Sequence, residues 1–178
     1  MVLDDHLRPW SRPALRHIPA GARFDVLDFR YAGRGADNRW NEQGEPTLYL
    51  AGDMGVAIAE FGRHFAIDRT PEVAQGAVER TVYRLDLTVD RVLDLRDPQV
   101  WAALSLSNAP NCFLSIPVAH ATAHFIRTTT EAQGILVPSV AFLDQLVRWC
   151  LVLFLDKLPI EPQSFISAVT IEGPLRWR

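Results

Sequence analysis

A carboxylate and a guanidinium lie close together in one stretch of the chain. Arg39 belongs to a polar loop, and Glu60 is the only charged residue in the apolar segment from Val56 to Phe61. A guanidinium is always charged and binds phosphate or carboxylate through paired hydrogen bonds. A carboxylate on an apolar helix must be paired or used, because burying an unpaired charge is costly. Both residues are therefore candidate site residues, and a structural ion pair between them is the alternative.

The elements that would carry these residues can be predicted from the local pattern. Residues 47–51 alternate in polarity and include the β-prone Tyr49, which predicts a strand. Asp53 is a suitable cap for a helix over residues 53–66 that would carry Glu60. Tyr49 is then either a ligand contact or an aromatic side chain of the core.

Other reactive side chains lack the partners that catalytic motifs need. His120 and His124 have the spacing of two metal ligands on one helix face, but no third ligand is evident, so we expect no metal site. Cys112 has no nearby histidine to activate its thiol. Ser139 has no Gly-x-Ser-x-Gly context. It follows an apolar strand and Pro138, where its hydroxyl could orient a ligand or serve only as a turn residue.

The rest of the chain predicts a mixed order of strands and helices. Strands are expected over residues 14–18, 80–87, 91–95, 134–137, 149–155 and 168–171, and helices over residues 116–127 and from Asp97 onwards. Residues 24–29 fit either a strand or a loop. A regular βαβ rhythm is absent, so we expect an α/β or α+β fold with a central mixed sheet of about six strands and flanking helices.

Size and charge are typical of a single globular domain. The chain has 178 residues and a formal net charge of −3, which gives no general attraction to nucleic acid, and no direct contact with it is expected. Residues 1–13 are polar and contain Pro9 and Pro13, which break regular elements. We therefore expect residues 1–13 to form an N-terminal tail and residues 14–178 to form the domain.

The chain shows no sign of secretion or of a membrane segment. Cys112 and Cys150 are the only cysteines and make no disulfide framework, as expected in a reducing compartment. The N-terminus lacks the basic and apolar regions of a signal peptide. The longest apolar run, residues 150–155, is far shorter than the ~20 residues that span a bilayer. A cytoplasmic protein is the expectation.

Several motifs together resemble the RES-domain family, which is named for an Arg, a Glu and a Ser. The resemblance extends from about residue 14 to about residue 157, and its most specific part runs from Arg39 to Glu60. The motifs are Leu15-Arg16-His17, Asn38-Arg39-Trp40-Asn41 with Gly44 and Pro46, Leu48-Tyr49-Leu50-Ala51, Ala57-x-x-Glu60 and Gly134-Ile135-Leu136-Val137-Pro138-Ser139.

The resemblance implies a toxin that degrades NAD+. The partner would be an Xre-type helix-turn-helix antitoxin, in an oligomeric complex, and the fold would be similar to that of ADP-ribosyltransferases. The reaction would cleave the nicotinamide–ribose bond of NAD+, as a glycohydrolase with water as acceptor or a phosphorylase with phosphate, and without a metal. A protein ADP-ribosyltransferase is one alternative. A silent module that binds nucleotide or only pairs with the antitoxin is another.

The resemblance also assigns roles to residues of this sequence. Glu60 would stabilise the positive charge that develops on the ribose. Arg39 and Arg16 would hold the pyrophosphate. Tyr49 would contact the nicotinamide or the ribose. The implied catalytic residues are Glu60, Arg39 and Ser139, and the implied NAD-binding residues are Arg16, His17, Arg39, Tyr49 and Ser139.

The sequence departs from the family pattern around its first arginine. His17 follows Arg16, where the family commonly has a tyrosine or an apolar residue. Arg23 and Arg30 lie nearby, so three arginines are candidates for the first family arginine. We favour Arg16 because of its distance along the sequence from Arg39.

Two further departures flank the other motif residues. Asp37-Asn38 stands before Arg39, where the family usually has two glycines, and Val140-Ala141 follows Ser139, where it often has Ala-Arg. We expect these changes to affect the loop conformation, the access of phosphate and the activity.

Overall fold

Six strands form one mixed sheet in the computed structural model, which describes residues 3–34, 38–66 and 79–175. The spatial order is β1-β2-β5-β4-β3-β6, and every pairing is antiparallel except that of β3 with β4. The strands are β1 (Arg8–Pro19), β2 (Thr47–Ala51), β3 (Arg80–Asp94), β4 (Gly134–Pro138), β5 (Trp149–Phe154) and β6 (Ile166–Leu175).

Three α-helices accompany this sheet within the described part of the chain. They are α1 (Met54–Ala66), α2 (Pro98–Ala103) and α3 (Ile116–Thr129). The predicted α+β class with about six strands is therefore confirmed. None of the helices in these residues is long and apolar enough to cross a bilayer.

Five of the strands close into a ring. β1 pairs with β3 along most of its length and also contacts β2 through the pair Leu15–Ala51. The remaining pairings of β2 with β5, β5 with β4 and β4 with β3 complete the circuit. As a result, residues 16 and 17 of β1 lie next to the end of β2, from which α1 begins.

The central strands bury both of their faces. Leu136, Leu151 and Leu153 pack into one cluster with residues of β1, β2 and β3. Their sequence neighbours Ile135 and Val152 point to the other side, where they meet α3. Burial on both faces explains why β4 and β5 have continuous apolar sequences instead of alternating ones.

The expectation that Pro9 and Pro13 break regular structure is wrong. Both lie in β1, where residues 8–13 pair with β3 and Pro13 stands opposite Asp86. β2 contacts β1 only at Leu15, so β3 is the one neighbour of this segment among the described residues. A proline whose nitrogen faces away from β3 removes no ladder hydrogen bond. The division of the chain at residue 14 stays a prediction.

The strands predicted over residues 80–87 and 91–95 are a single strand, β3. Its register against β1 shifts between the pairs Trp10–Val89 and Arg8–Val92. Two steps along β1 therefore correspond to three steps along β3, which is a β-bulge. Just before the bulge, up to Val89, the buried residues of β3 follow an alternating pattern, and after the bulge this pattern is displaced by one residue. In the sequence the displacement looks like the end of one strand and the start of another. Residues 24–29, which fit either a strand or a loop by sequence, form a loop with a turn at residues 26 and 27.

Asp53 fixes the start of the helix that carries Glu60. Its Oδ1 accepts a hydrogen bond from the backbone N–H of Val56 at 2.9 Å, as the sequence predicts. Its contact with Arg148 is 3.7 Å long and largely exposed, so it contributes little.

We predict that Asp53→Ala lowers the free energy of unfolding by about 1 kcal/mol, because the N–H of Val56 loses its partner. Asp53→Asn is the matched control: its side chain still caps the helix, and the expected change is below about 0.5 kcal/mol. Urea denaturation of the two variants measures the difference. Equal losses of unfolding free energy in the two variants would show that the negative charge of Asp53, and not its hydrogen bond to Val56, stabilises the helix.

Candidate functional site

A cleft of about 320 Å³ lies between β1, β2, α1 and the end of β4. This volume is in the range of small-molecule sites. Five of the six side chains that the sequence singles out line it, namely Arg16, His17, Arg39, Tyr49 and Glu60. The sixth, Ser139, lies behind the wall and is 1 % exposed.

Glu60 is held by two donors that follow β4. The hydroxyl of Ser139 donates to Glu60 Oε1 at 2.5 Å, and the N–H of Ala141 donates to the same oxygen at 3.4 Å. Oε2 has no hydrogen-bond partner within the described residues. No ion pair joins Glu60 to Arg39 there either, so the alternative of a structural pair is not supported. One carboxylate oxygen is thus fixed, and the other is available in the cleft.

Arg39 connects its loop to the segment before α3. Its Nη1 donates to the carbonyl oxygens of Phe113 and Leu114, at 2.8 and 2.9 Å, where a short 3-10 helix (Asn111–Leu114) ends. The next residue, Trp40, packs edge-on against Phe113 with a centroid distance of 5.0 Å. These contacts fix the guanidinium of Arg39 in the wall of the cleft.

Tyr49 is both part of the cleft wall and part of a buried hydrogen-bond network. Its hydroxyl donates to Asn41 Oδ1 at 2.8 Å and accepts from the N–H of Trp40 at 3.0 Å. Burial raises the pKa of Tyr49 well above its usual value, so the donating form persists. Asn41 in turn donates to the carbonyl of Gly33. Asn41 belongs to the Asn38-Arg39-Trp40-Asn41 motif, but the sequence does not reveal its hydrogen bonds.

Arg16 is anchored by backbone carbonyls. It donates to the carbonyl oxygens of Val26 and of Asp28, the latter at 3.3 Å, and its guanidinium lies 4.7 Å from the ring centre of Phe29. Burial lowers its pKa to about 10, against the opposing effects of Asp28 and Asp25. The side chain therefore remains a cation at neutral pH.

The other two candidates for the first family arginine do not line the cleft. Arg30 pairs with Asp28 at 2.6 Å, and its side chain is 75 % exposed. Arg23 is likewise not among the cleft-lining residues. Of the three arginines, only Arg16 contributes to the cleft wall.

His17 is paired with an arginine that sequence reasoning missed. Its Nδ1 accepts a hydrogen bond from Arg80 Nε at 2.6 Å, and its ring packs edge-on against Phe61. Burial, followed by the charges of Arg80 and Arg16, lowers the pKa of His17 to about 4. Arg80 is 63 residues away in the sequence, and only the pairing of β1 with β3 brings it close, so no local pattern indicates the contact.

The alternatives to this cleft find no support among the described residues. His120 Nε2 contacts the carbonyl oxygen of Asn38, and His124 Nδ1 lies 3.3 Å from Glu45 Oε1. No group of three potential ligands from His, Cys, Asp and Glu is placed to hold a metal in the part of the chain that is described. Burial raises the pKa of Cys112, which is unlike a reactive thiol.

Comparison with known proteins identifies the family of this chain. A family model described as the RES domain matches residues 9–177. The chain belongs to the RES-domain family. The matched range covers the whole cleft and most of β1, including residues that the sequence alone places in a tail.

A solved structure has a similar fold. It is the crystal structure of the M. tuberculosis MbcT–MbcA toxin–antitoxin complex, with a TM-score of 0.70 and 22 % sequence identity. The match covers 96 % of this RES-domain chain and 90 % of that chain, and at this identity it shows the fold. Comparison with curated protein sequences gave no significant match.

The partly buried His17 predicts a pH dependence of stability. Its pKa is about 4 in the folded protein and 6.5 when unperturbed, so below pH 6.5 the unfolded chain takes up a proton that the folded chain does not. Stability therefore falls as the pH decreases from 7 towards 4. The contribution of His17 to this loss is at most about 3 kcal/mol.

His17→Asn should reduce this loss, because asparagine offers Arg80 an acceptor but does not titrate. Urea unfolding of the wild type and the variant at pH 7.5 and 4.5 measures the loss of stability of each protein. The contribution of the carboxylates is common to both proteins and cancels when the two losses are subtracted. The expected outcome is a wild-type loss about 2 kcal/mol larger than that of the variant. Parallel pH profiles would contradict the prediction.

Proposed function

We propose that this protein is the toxin of a toxin–antitoxin pair and that it degrades NAD+. In this proposal it cleaves the bond between nicotinamide and ribose, with water or phosphate as the acceptor. The observation that carries the proposal is the arrangement of the cleft: Glu60, whose Oε2 has no partner among the described residues, lines the same cleft as Arg16 and Arg39. Membership in the RES-domain family supports it.

Glu60 would act on the sugar. Nicotinamide leaves as a neutral molecule from a cationic pyridinium, so its departure needs no strong general acid. Positive charge develops on the ribose as the bond breaks, as in glycoside cleavage. The carboxylate of Glu60 would stabilise that charge and hold a ribose hydroxyl through Oε2, which is unpaired among the described residues. Ser139 and Ala141 keep the carboxylate in this position through Oε1.

The arginines would hold the pyrophosphate. A guanidinium has about five N–H donors, and Arg16 uses its Nη1 and Nη2 on two carbonyl oxygens. Further donors of Arg16 are available for a phosphate oxygen. Arg39 would add a second guanidinium from the cleft wall, and His17 would add a ring N–H from the residue next to Arg16. Tyr49 would form the apolar floor under the nicotinamide or the ribose.

The proposal assigns Ser139 a role through Glu60. Its hydroxyl is buried and donates to the carboxylate, so it would position the catalytic group and not bind NAD+ directly. Glu60 and Arg39 then remain as the catalytic residues that face the substrate.

The proposed partner is an Xre-type helix-turn-helix antitoxin. The family resemblance implies it, and the similar solved structure is described as a toxin–antitoxin complex. Such a complex would be oligomeric and cytoplasmic. The antitoxin would block the cleft and would make the contacts with nucleic acid.

We predict that the purified protein releases nicotinamide from NAD+ and that Glu60→Gln slows the release by about 10²- to 10³-fold. Glutamine keeps the size of the side chain but removes the negative charge. The matched control is Glu161→Gln, because Glu161 is exposed and lies outside the cleft, and its rate should equal that of the wild type. Chromatographic quantification of nicotinamide measures all three proteins.

The same experiment identifies the acceptor. Free ADP-ribose as the product indicates water, and a phosphorylated product that requires added phosphate indicates a phosphorylase. Label from NAD+ on a protein band would instead indicate a protein ADP-ribosyltransferase. Tight NAD+ binding without any release would indicate a silent module and overturn the proposal.

Ser139→Ala should lower kcat about 10- to 100-fold with little change in KM, because the carboxylate loses its shorter hydrogen bond while the ligand contacts remain. Ser167→Ala is the control, since Ser167 lies on the exposed β6 and its Oγ donates to the backbone carbonyl of Asp86 on β3. Steady-state kinetics separates the two parameters. A raised KM with unchanged kcat would show that Ser139 binds the substrate itself.

A further inference from the structure

Among the described residues, the side chain of Arg80 hydrogen bonds to one residue of the cleft wall, His17. Arg80 itself is not a lining residue, whereas His17 is. Arg80 Nε donates to His17 Nδ1 at 2.6 Å, and Arg80 Nη2 donates to the backbone oxygen of His17 at 3.2 Å. The guanidinium also lies 5.1 Å from the ring centre of Phe61, the neighbour of Glu60 on α1. Arg80 is therefore held against one edge of the His17 ring.

This contact determines which ring nitrogen of His17 carries the proton. An arginine side chain is always protonated and has no acceptor, so it must be the donor. Nδ1 must then offer a lone pair, which a doubly protonated imidazolium lacks. The remaining form is the neutral ring with its proton on Nε2, because the bond made by one nitrogen sets the state of the other.

Nε2 is accessible and lacks a partner within the described residues. The buried polar atoms without a partner there are His6 Nε2 and Trp10 Nε1, and His17 Nε2 is not one of them. Arg80 covers the Nδ1 edge of the ring, and His17 is one of the residues that line the cleft. The N–H of Nε2 is thus available to a ligand.

The surroundings of this N–H favour an anionic acceptor. Arg16 precedes His17 on β1, lines the same cleft, and remains a cation. Arg80 forms no ion pair with a carboxylate among the described residues, so its charge adds to that of Arg16. The guanidinium of Arg16 in the cleft wall, the charge of Arg80 behind the His17 ring and a neutral N–H donor match a phosphate oxygen better than a hydroxyl or an amide. The carboxylates of Asp28 and Asp25 near Arg16 offset part of this positive charge.

We propose that Arg80 is a positioning residue that holds His17 in the neutral Nε2–H form, and that this N–H donates to a phosphate oxygen of the dinucleotide beside Arg16. The proposal rests on the proposed function for the identity of the ligand. It assigns a function to the histidine that stands where the family commonly has a tyrosine or an apolar residue.

The protonation state can be observed without a ligand. Two-dimensional ¹H–¹⁵N NMR of the ring nitrogens distinguishes the two neutral forms and the imidazolium. In the wild type at pH 7.5 we expect His17 as the Nε2–H form. Arg80→Met should allow the Nδ1–H form to appear, whereas Arg80→Lys retains a donor and should restore the wild-type signature. A wild-type ring protonated on Nδ1 would overturn the proposal.

Binding of ADP-ribose tests the use of this N–H. His17→Gln places an amide N–H near the position of Nε2, and His17→Asn places its amide near Nδ1. Titration calorimetry should show His17→Gln within about threefold of the wild-type Kd and His17→Asn about tenfold weaker. Equal affinity of His17→Asn and the wild type, or no binding by the wild type, would overturn the proposed contact.

Arg80→Met should weaken ADP-ribose binding about three- to tenfold. Arg84→Met is the matched control on the same strand, because Arg84 is exposed and pairs with Asp86 away from the cleft. Its affinity should match that of the wild type. Circular dichroism shows whether each variant is folded. The comparison of His17→Gln with His17→Asn tests the proposed ligand contact in proteins that retain Arg80.

These measurements are separable from the proposed reaction. The expected NMR form and the expected order of affinities without nicotinamide release would preserve this inference and overturn the proposed function. Nicotinamide release together with identical affinities of the two His17 variants would preserve the proposed function and overturn this inference.

Discussion

The hydrogen bond between Ser139 Oγ and Glu60 Oε1 joins the end of β4 to the middle of α1. α1 packs Val56 and Ala57 against the sheet, and a carboxylate beside such an apolar face is costly unless it is hydrogen bonded. Ser139, together with the N–H of Ala141, offsets this cost. The same contact fixes the direction of the carboxylate, so the cleft wall holds one anchored negative group together with the cations Arg16 and Arg39.

The cations of the cleft are stabilised by backbone carbonyls. Arg16 binds the carbonyls of Val26 and Asp28, and Arg39 binds those that end the short 3-10 helix before α3. Each arginine thereby ties an irregular loop to the rest of the fold. A carbonyl is a dipole and not a full charge, so these hydrogen bonds order the guanidinium groups without bringing a negative charge into the cleft. The proposed function uses the two cations to hold a ligand that carries negative charge.

Much of the fold could be predicted because it depends on local pattern. The bounds of β2, the cap at Asp53 and the placement of Glu60 on α1 follow from alternation, capping preference and helical spacing. The errors occur where tertiary context overrides that pattern. β1 tolerates two prolines because β3 is its one described neighbour over residues 8–13, and β3 continues through a bulge that reverses its apolar phase.

The sequence by itself determined the types of side chain in the cleft and the elements that carry most of them. Only the tertiary structure decided which of these side chains touch. The contacts of Glu60 with Ser139 and of His17 with Arg80 join residues 79 and 63 positions apart. Such contacts depend on how the strands pair and in which register, and these are set by packing over the whole sheet. No pattern within one segment encodes them.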